Sequence, residues 1–321
     1  MPTPVKPSKK RSRLERLSLA LLLALLVLAG AFLSPRSFLA VTGGGQPSTV
    51  IAIAGRLVAV WKPAGPPPAK GYPLILFSHG FTGCGTQSRF LTEALAQAGY
   101  FVIAPNHHDA LCGEDEADLF AKLASTRPKE PFGNPGLWSA ATYQDRRDDV
   151  EAVLDAVLKD QVFPDVPIDA GCIGLAGHSL GGYTVLGLAG AWPSWRDPRV
   201  KAVLALSPFC TPYIKKGDLP HLRIPVMYQG GSMDVGITPT VRSHGGAYEL
   251  TSAPKFFVDF SGAGHFAWTN LNRTYQPVIN NYALAFFDRY LKGNIGPADQ
   301  LAEILQPPWP DKVDGVEFTL K

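Results

Sequence analysis

The chain is poor in cysteine and in charge, and it contains neither an internal repeat nor a low-complexity tract. Four of its 321 residues are cysteines, 18% are charged and the net charge is +3. The positive excess is concentrated between Lys6 and Arg16, so the rest of the chain is near neutral or slightly acidic. This charge balance argues against a nucleic-acid-binding surface. The hydrophobic fraction of 46% instead indicates one domain with a large core.

The N-terminal segment predicts export. An apolar run at residues 19–33 follows the basic cluster; it exceeds a minimal signal-peptide core but falls short of the roughly 20 residues that cross a bilayer comfortably. Ala29-Gly30-Ala31 suits cleavage and secretion, whereas the long basic leader and Phe32-Leu33 suit a membrane anchor with an extracytoplasmic domain. The expected organisation is a leader with a signal peptide or anchor (1–34), a linker (35–48) and a catalytic domain (49–321).

Beyond the linker, apolar strands alternate with helical segments. Residues 49–53 and 56–61 have the alternating pattern of antiparallel edge strands. The later alternation is typical of the α/β class, with a mainly parallel sheet covered by helices on both faces. The predicted strands are 74–78, 100–104, 172–176, 200–206, 224–229 and 255–260, and the predicted helices lie near 88–98, 143–159, 183–190, 240–251 and 278–291.

A sharp turn from strand to helix is predicted at Gly177-His178-Ser179-Leu180-Gly181-Gly182. An apolar strand precedes it, and a segment of small residues that favours a helix follows it. The glycines at 177 and 181 relieve the crowding of such a turn, which pushes the serine hydroxyl into a cleft. The pattern predicts a nucleophile elbow, with Ser179 as the nucleophile.

An acid and then a histidine should follow that serine, each on a loop after a strand. Asp234 follows the predicted strand that ends in Gly230-Gly231, and His265 follows the next strand. Two other acids are poorly placed, because Asp218 precedes its strand and Asp259 lies inside one. The sequence therefore predicts the triad Ser179, Asp234 and His265.

A serine nucleophile also needs donors for the oxyanion that develops on the attacked carbonyl. The backbone N–H of Leu180 follows the nucleophile directly. A second donor should lie after an earlier central strand, where Ser78 is followed by His79-Gly80-Phe81-Thr82-Gly83. The glycines allow the backbone to approach a substrate closely, so we expect the N–H of Phe81 to be this donor.

These motifs together resemble the α/β-hydrolase superfamily. Within it, the chain is similar to dienelactone-hydrolase-like serine esterases, near the platelet-activating-factor acetylhydrolases and the cutinase-like polyester hydrolases. The resemblance runs from about Val50 to Tyr290 and implies an acyl-serine mechanism without a cofactor. Dienelactone hydrolases proper carry a cysteine nucleophile where this chain has Ser179, so the resemblance implies nothing about dienelactones. The motifs that carry it are Ser78-His79-Gly80-Phe81, Ala104-Pro105-Asn106-His107, the elbow, Gly231-Ser232-Met233-Asp234 and Gly262-Ala263-Gly264-His265-Phe266.

Export changes the interpretation of the four cysteines. Cys84 and Cys112 both follow strands at the same expected edge of the sheet, which favours a disulfide between them. Cys172 begins the elbow strand whereas Cys210 follows the next strand, so these two should lie at opposite ends of parallel neighbours. That separation predicts two free thiols.

Other residues of these loops are candidates for metal ligation or for substrate contact. His107 and His108 lack a recognised metal spacing and would point in different directions, so no metal site is predicted. Phe81 and Trp268, which lie beside catalytic candidates, are expected to contact the acyl group of a substrate.

The sequence thus predicts a serine-dependent carboxylic ester hydrolase that acts on a small-molecule or lipid-like ester. Two alternatives use other substrates, namely a lipase or polyester hydrolase and a phospholipid acetylhydrolase. A third alternative is a non-catalytic ligand-binding module on the same fold. No cofactor and no nucleic-acid partner are expected, and residues 19–33 are the candidate membrane tether.

Overall fold

A computed structural model describes residues 49–63, 65–111, 128, 130–159, 162–252, 254–294, 312–313 and 316–320. The predicted leader and linker lie outside these residues, as does Cys112. Within the described part, no helix has the length and apolar character needed to cross a membrane.

Ten strands form one sheet in the order β1-β2-β4-β3-β5-β6-β7-β8-β10-β9. The six strands from β4 to β8 in this order run parallel, whereas β1, β2, β9 and β10 pair antiparallel at the two edges. This arrangement is the predicted α/β architecture. The strands are β1 (Thr49–Ile53), β2 (Arg56–Trp61), β3 (Tyr72–Ser78), β4 (Phe101–Pro105), β5 (Ile168–His178), β6 (Val200–Leu206), β7 (Val226–Gly231), β8 (Lys255–Phe260), β9 (Lys312–Val313) and β10 (Val316–Leu320).

Helices cover both faces of the sheet. Successive side chains of a strand point to opposite faces, so Leu74 and Leu76 of β3 belong to one hydrophobic cluster and Ile75 and Phe77 to another. The first cluster is completed by α2 and α3, and the second by α1 and α7. The helices are α1 (Arg89–Gln97), α2 (Gln144–Leu158), α3 (Leu180–Leu186), α4 (Thr211–Lys216), α5 (Thr238–Arg242), α6 (Ala247–Leu250) and α7 (Gln276–Leu291).

The structure differs from the predicted elements in several places, among them the short helix α4, which was not predicted. The expected helix at 240–251 is broken into α5 and α6, because Gly245 has φ 71° and a side chain at Gly246 would meet the backbone of the preceding turn. The strands β9 and β10 were not predicted at all. They lie at the C-terminal end, outside the alternation of strands and helices, so the sequence pattern does not indicate that β10 pairs with β8.

Candidate active site

The site lies at the carboxyl ends of the parallel strands, where consecutive loops meet at one edge. β5 continues into Ser179 and α3, and β6 continues into Ser207. Asp234 follows β7, and His265 follows β8. Because these strands are neighbours in the sheet, residues far apart in sequence come together at this edge.

Ser179 occupies the strained turn that the glycine spacing predicts. Its backbone has φ 55° and ψ −115°, a conformation that non-glycine residues rarely adopt. Side chains at Gly177 or Gly181 would collide with the backbone of the turn or of Ser78. The glycines therefore permit the elbow, and the Ser179 N–H is fixed by a 3.0 Å hydrogen bond to the carbonyl of Leu206.

The structure brings the three predicted triad residues together. Ser179 Oγ lies 3.0 Å from His265 Nε2, and His265 Nδ1 lies 3.3 Å from the Asp234 carboxylate. The other two acids are engaged elsewhere, since Asp259 Oδ2 pairs with Arg242 at 2.8 Å and Asp218 lies beside His221. In this geometry the imidazole can accept a proton from the serine while the carboxylate faces its other nitrogen.

Ser207 is a fourth member of this cluster that the sequence analysis missed. Its Oγ lies 2.8 Å from His265 Nδ1 and donates a hydrogen bond to Asp234 Oδ2, which also accepts one from Thr238 Oγ1 at 3.1 Å. Burial raises the pKa of Asp234, but its hydrogen bonds to His265, Ser207 and Thr238 outweigh that effect and bring the pKa below its ordinary value. The carboxylate is therefore anionic around neutral pH.

His178 hydrogen-bonds to the backbone of His265. Its Nε2 donates to the carbonyl of His265 at 2.9 Å, and its Nδ1 accepts from Gln87 Nε2 at 2.9 Å. The two rings lie 4.8 Å apart. Burial, together with the nearby charge of His265, lowers the pKa of His178 to about 3. His178 is thus a neutral structural donor.

The loop after β3 forms a tight turn around Phe81. Gly83 N–H donates to the carbonyl of Gly80 at 3.0 Å, and Thr82 has φ 59°. The N–H groups on both sides of Phe81 are occupied, since Gly80 donates to Gln87 Oε1 and Thr82 donates to Asp109 Oδ2, each at 3.0 Å. Within the described residues, no acceptor is bonded to the N–H of Phe81 or of Leu180.

A buried ion pair between Arg146 and Asp109 holds the loop after β3 in place. Arg146 is fully buried and binds Asp109 through Nε at 3.0 Å and Nη2 at 2.9 Å. The same guanidinium donates to the carbonyls of His79 at 2.8 Å and Gly80 at 3.1 Å. Although burial raises the pKa of Asp109, the Arg146 charge and hydrogen bonds bring it well below its usual range.

The remaining histidines of these loops have structural partners. His107 Nε2 lies 2.8 Å from Ser78 Oγ, and its Nδ1 lies 3.1 Å from Asp149. His79 Nε2 accepts from the N–H of His107 at 3.0 Å, whereas His108 is exposed. Burial lowers the pKa of both His79 and His107, so these rings are neutral. The described residues contain no group of three potential metal ligands.

An aromatic wall lies beside the nucleophile. Phe81 packs edge-on against Phe132 at 5.5 Å, and Phe132 packs against Phe209 at 5.1 Å. Phe209 is tied to the elbow by its N–H, which donates to the carbonyl of Ser179 at 3.0 Å. Phe81 and Phe132 are half-buried and thus retain surface for an apolar group. This wall is continuous from the Phe81 loop to the end of β6.

Trp268 is not part of this surface. Its side chain has no exposed area, and its Nε1 donates to Gln229 Oε1 at 3.1 Å in the core beneath the site. The expected substrate contact of Trp268 stays a prediction, and this burial does not favour it, because the ring lies on the inward side of a short helical turn, His265–Trp268.

The predicted cysteine pairing involves a residue outside the described part of the chain, since only Cys84 of that pair is described. Cys172, which lies within β5, and Cys210, which follows β6, are both free thiols, as expected.

Gln87, Arg146 and Ser207 are polar residues of the site that the sequence did not reveal. Each contacts a loop or strand that is distant in sequence. A single Gln or Arg belongs to no motif of fixed spacing from which such a contact could be predicted. Ser207-Pro208 at the end of a predicted strand is the one local pattern that could have drawn attention to Ser207.

The fold and the comparisons with known proteins agree. The mostly parallel sheet with helices on both faces is the α/β-hydrolase fold. A family model described as platelet-activating factor acetylhydrolase, isoform II, matches residues 54–114, which include the Phe81 loop. Carboxylic ester hydrolases are thus the enzyme class that the fold and this match indicate.

Curated relatives point to the same class. Cutinase 2 of Thermobifida cellulosilytica is 25% identical over 68% of this chain and 69% of its own length. Cutinase est2 of Thermobifida alba is 26% identical over 68% of this chain, which covers less than two thirds (60%) of that enzyme. The putative esterase YitV of Bacillus subtilis (strain 168) is 30% identical over 38% of this chain and 41% of its own length. The fold and these similarities together indicate a carboxylic ester hydrolase, and the chain is similar to cutinases and esterases.

Proposed function

We propose that the chain hydrolyses carboxylic esters through an acyl-enzyme on Ser179. His265 Nε2 takes the serine proton as Oγ attacks the ester carbonyl, and it returns that proton to the leaving alcohol. Asp234 stabilises the imidazolium that forms in between. A water molecule then attacks the acyl-enzyme, with His265 again acting as the base. The 3.0 Å contact between Ser179 Oγ and His265 Nε2 at a strained elbow is the observation that carries this proposal.

The backbone N–H groups of Phe81 and Leu180 would hold the oxyanion in each step. Their neighbours in the chain are fixed by hydrogen bonds, and the two donors themselves are bonded to no acceptor within the described residues. Donors that are already oriented stabilise developing charge without reorganisation, and one such donor contributes about a hundredfold to a thousandfold in rate.

The decisive experiment for the reaction is Ser179→Ala. We expect it to abolish hydrolysis of p-nitrophenyl esters and covalent labelling by a fluorophosphonate, while the folded circular dichroism spectrum is retained. Retained labelling would assign the nucleophile to another residue. Absence of labelling in the parent enzyme would instead favour a non-catalytic ligand-binding module.

For the substrate, the aromatic wall favours an ester with an apolar acyl group. The rings of Phe81 and Phe132 are half-buried, and Phe132 packs against Phe209, whose N–H binds the carbonyl of Ser179. The similarity to enzymes named cutinases makes a lipase or polyester hydrolase the second candidate, and the family model makes a phospholipid acetylhydrolase the third. A panel of p-nitrophenyl esters of increasing chain length, a polyester film and short phospholipids separates the three.

The basic leader and the apolar run at residues 19–33 support export, with the catalytic domain either tethered or secreted. Resistance of the full chain to carbonate extraction would indicate an anchor. A mature N-terminus near Phe32 would indicate cleavage, and full-length protein in the soluble cytoplasm would contradict both forms.

A further inference from the structure

Gln87 joins the Phe81 loop to the support of the catalytic histidine. Its Oε1 accepts a hydrogen bond from the Gly80 N–H at 3.0 Å, and its Nε2 donates to His178 Nδ1 at 2.9 Å. A side-chain amide has both an acceptor and a donor end, so one group satisfies two different loops.

The turn around Phe81 is shaped to receive this amide. A side chain at Gly83 would collide with Gln87 Oε1, and a Cβ at Gly80 would lie 3.4 Å from the same oxygen and 3.2 Å from His178 Nδ1. The two glycines thus leave space for the amide on the inner side of the turn. Phe81 lies between the two glycines and would bind the oxyanion, so this contact would set the orientation of its N–H.

On its other side, the amide fixes the hydrogen-bonding state of His178. Because Nδ1 accepts from Gln87, the ring proton of neutral His178 resides on Nε2, which donates to the His265 carbonyl at 2.9 Å. His265 Nε2 in turn faces Ser179 Oγ at 3.0 Å. A continuous chain of hydrogen bonds therefore runs from Gly80 through Gln87 and His178 to the backbone of His265.

The backbone of Gln87 is itself immobilised. Its N–H donates to the carbonyl of Cys84 at 2.8 Å, and its carbonyl accepts from the N–H of Asn270 at 2.9 Å. Neither bond involves the side chain, so a change of the amide alone should leave the local fold in place.

We propose that Gln87 is a positioning residue for acyl transfer, holding the oxyanion-binding turn and the catalytic histidine in one mutual geometry. The inference rests on the proposed serine-esterase function. One side chain outside the triad would thus position both the general base and the oxyanion donor at Phe81. Such a residue should affect kcat much more than KM, because it contacts no substrate.

The test compares Gln87→Met, which removes both hydrogen bonds, with Gln87→Glu, which keeps the acceptor for Gly80 and loses the donor to His178. The exposed Gln144 supplies matched controls, Gln144→Met and Gln144→Glu. For each variant, kcat and KM are measured with a short p-nitrophenyl ester, and fluorophosphonate titration counts the active sites. Dividing kcat by titrated sites removes any loss that is due to misfolding.

We expect Gln87→Met to lower kcat per site by about a hundredfold, the order of effect that misplacement of a catalytic group brings. Gln87→Glu should lower it by roughly tenfold, since it releases only the His265 side. KM should change little, and the Gln144 variants should match the parent.

A kcat per site within about twofold of the parent in both Gln87 variants would overturn the inference. So would a rise in KM with unchanged kcat, which would make Gln87 a substrate contact. If Gln87→Met fails to fold, Gly83→Ala decides, because its methyl group displaces the amide while leaving Gln87 in place; its kcat should also fall. Activity retained in Ser179→Ala would refute the proposed function instead, and this outcome is distinct from the others.

Discussion

Lowering the pH from about 7.5 to about 5.5 should destabilise the fold by several kcal/mol, because three buried histidines are neutral in it. His79, His107 and His178 are all buried, and burial lowers the pKa of each below the ordinary value of 6.5. In the unfolded chain each ring takes up a proton near pH 6.5, whereas in the folded protein the lowered pKa of each ring delays protonation to lower pH, most strongly at His79 and His178.

The sign and size follow from these pKa directions. A histidine whose folded pKa is depressed contributes its full stability above about pH 6.5, and it loses that contribution as the pH falls. Each such ring costs a little over 1 kcal/mol per pH unit, so the three together cost up to roughly 4 kcal/mol at pH about 5.5. Domains are typically stable by only about 5–15 kcal/mol, so this loss is readily measured. Acids with lowered pKa, such as Asp109 and Asp149, add to the loss only nearer pH 4 and below.

The assay is urea unfolding at a series of pH values between about 7.5 and 4.5, followed by circular dichroism. His178→Gln should reduce the slope of unfolding free energy against pH by about one third. A slope near zero between pH 6.5 and 5 would refute the reasoning, since the three rings would then be protonated in the folded state.

Three further predictions concern single side chains of the site. Asp234→Asn should lower kcat by about ten-thousandfold, as loss of the acid does in serine proteases, while Asp259→Asn should lose far less activity; the reverse ranking would reassign the acid. Ser207→Ala should lower kcat by about tenfold to a hundredfold with little change in KM, since the hydroxyl bridges His265 and the acid, and parental kcat would refute this. Arg146→Met should cost about 3–5 kcal/mol in urea unfolding because it leaves a buried carboxylate unpaired, and a loss below about 1 kcal/mol would contradict it.

Local patterns in the sequence predicted most of the architecture. The strands at 200–206 and 255–260 agree with β6 and β8 residue for residue, because each is a short apolar run bounded by turn residues. The elbow was predicted because its glycines are required at fixed distances from Ser179. The order of Asp234 and His265 after two consecutive strands was sufficient to name them, because neighbouring parallel strands end at the same edge.

The sequence could not predict contacts that join distant segments through single polar side chains. Gln87 and His178 are 91 residues apart, and Arg146 and His79 are 67 apart. No periodicity links such positions, and their pairing depends on how α1 and α2 pack against the sheet. The burial of Trp268 was equally out of reach of the sequence, since only the direction of a short helical turn places that ring in the core.

The strained residues of the structure connect its stability with its chemistry. Thr82, Ser179 and Ser207 all have positive φ, at 59°, 55° and 42°, and such conformations cost about 1–3 kcal/mol each. Each of them directly follows or lies near the carboxyl end of a parallel strand, and each is held by a hydrogen bond to a residue from another loop or strand. A relaxed backbone at Ser179 would draw its hydroxyl away from His265, and at Ser207 it would remove the group between the imidazole and the acid. The buried network of Arg146 and Asp109 therefore stabilises, at the loop that carries Thr82, a geometry that the local backbone alone would not adopt.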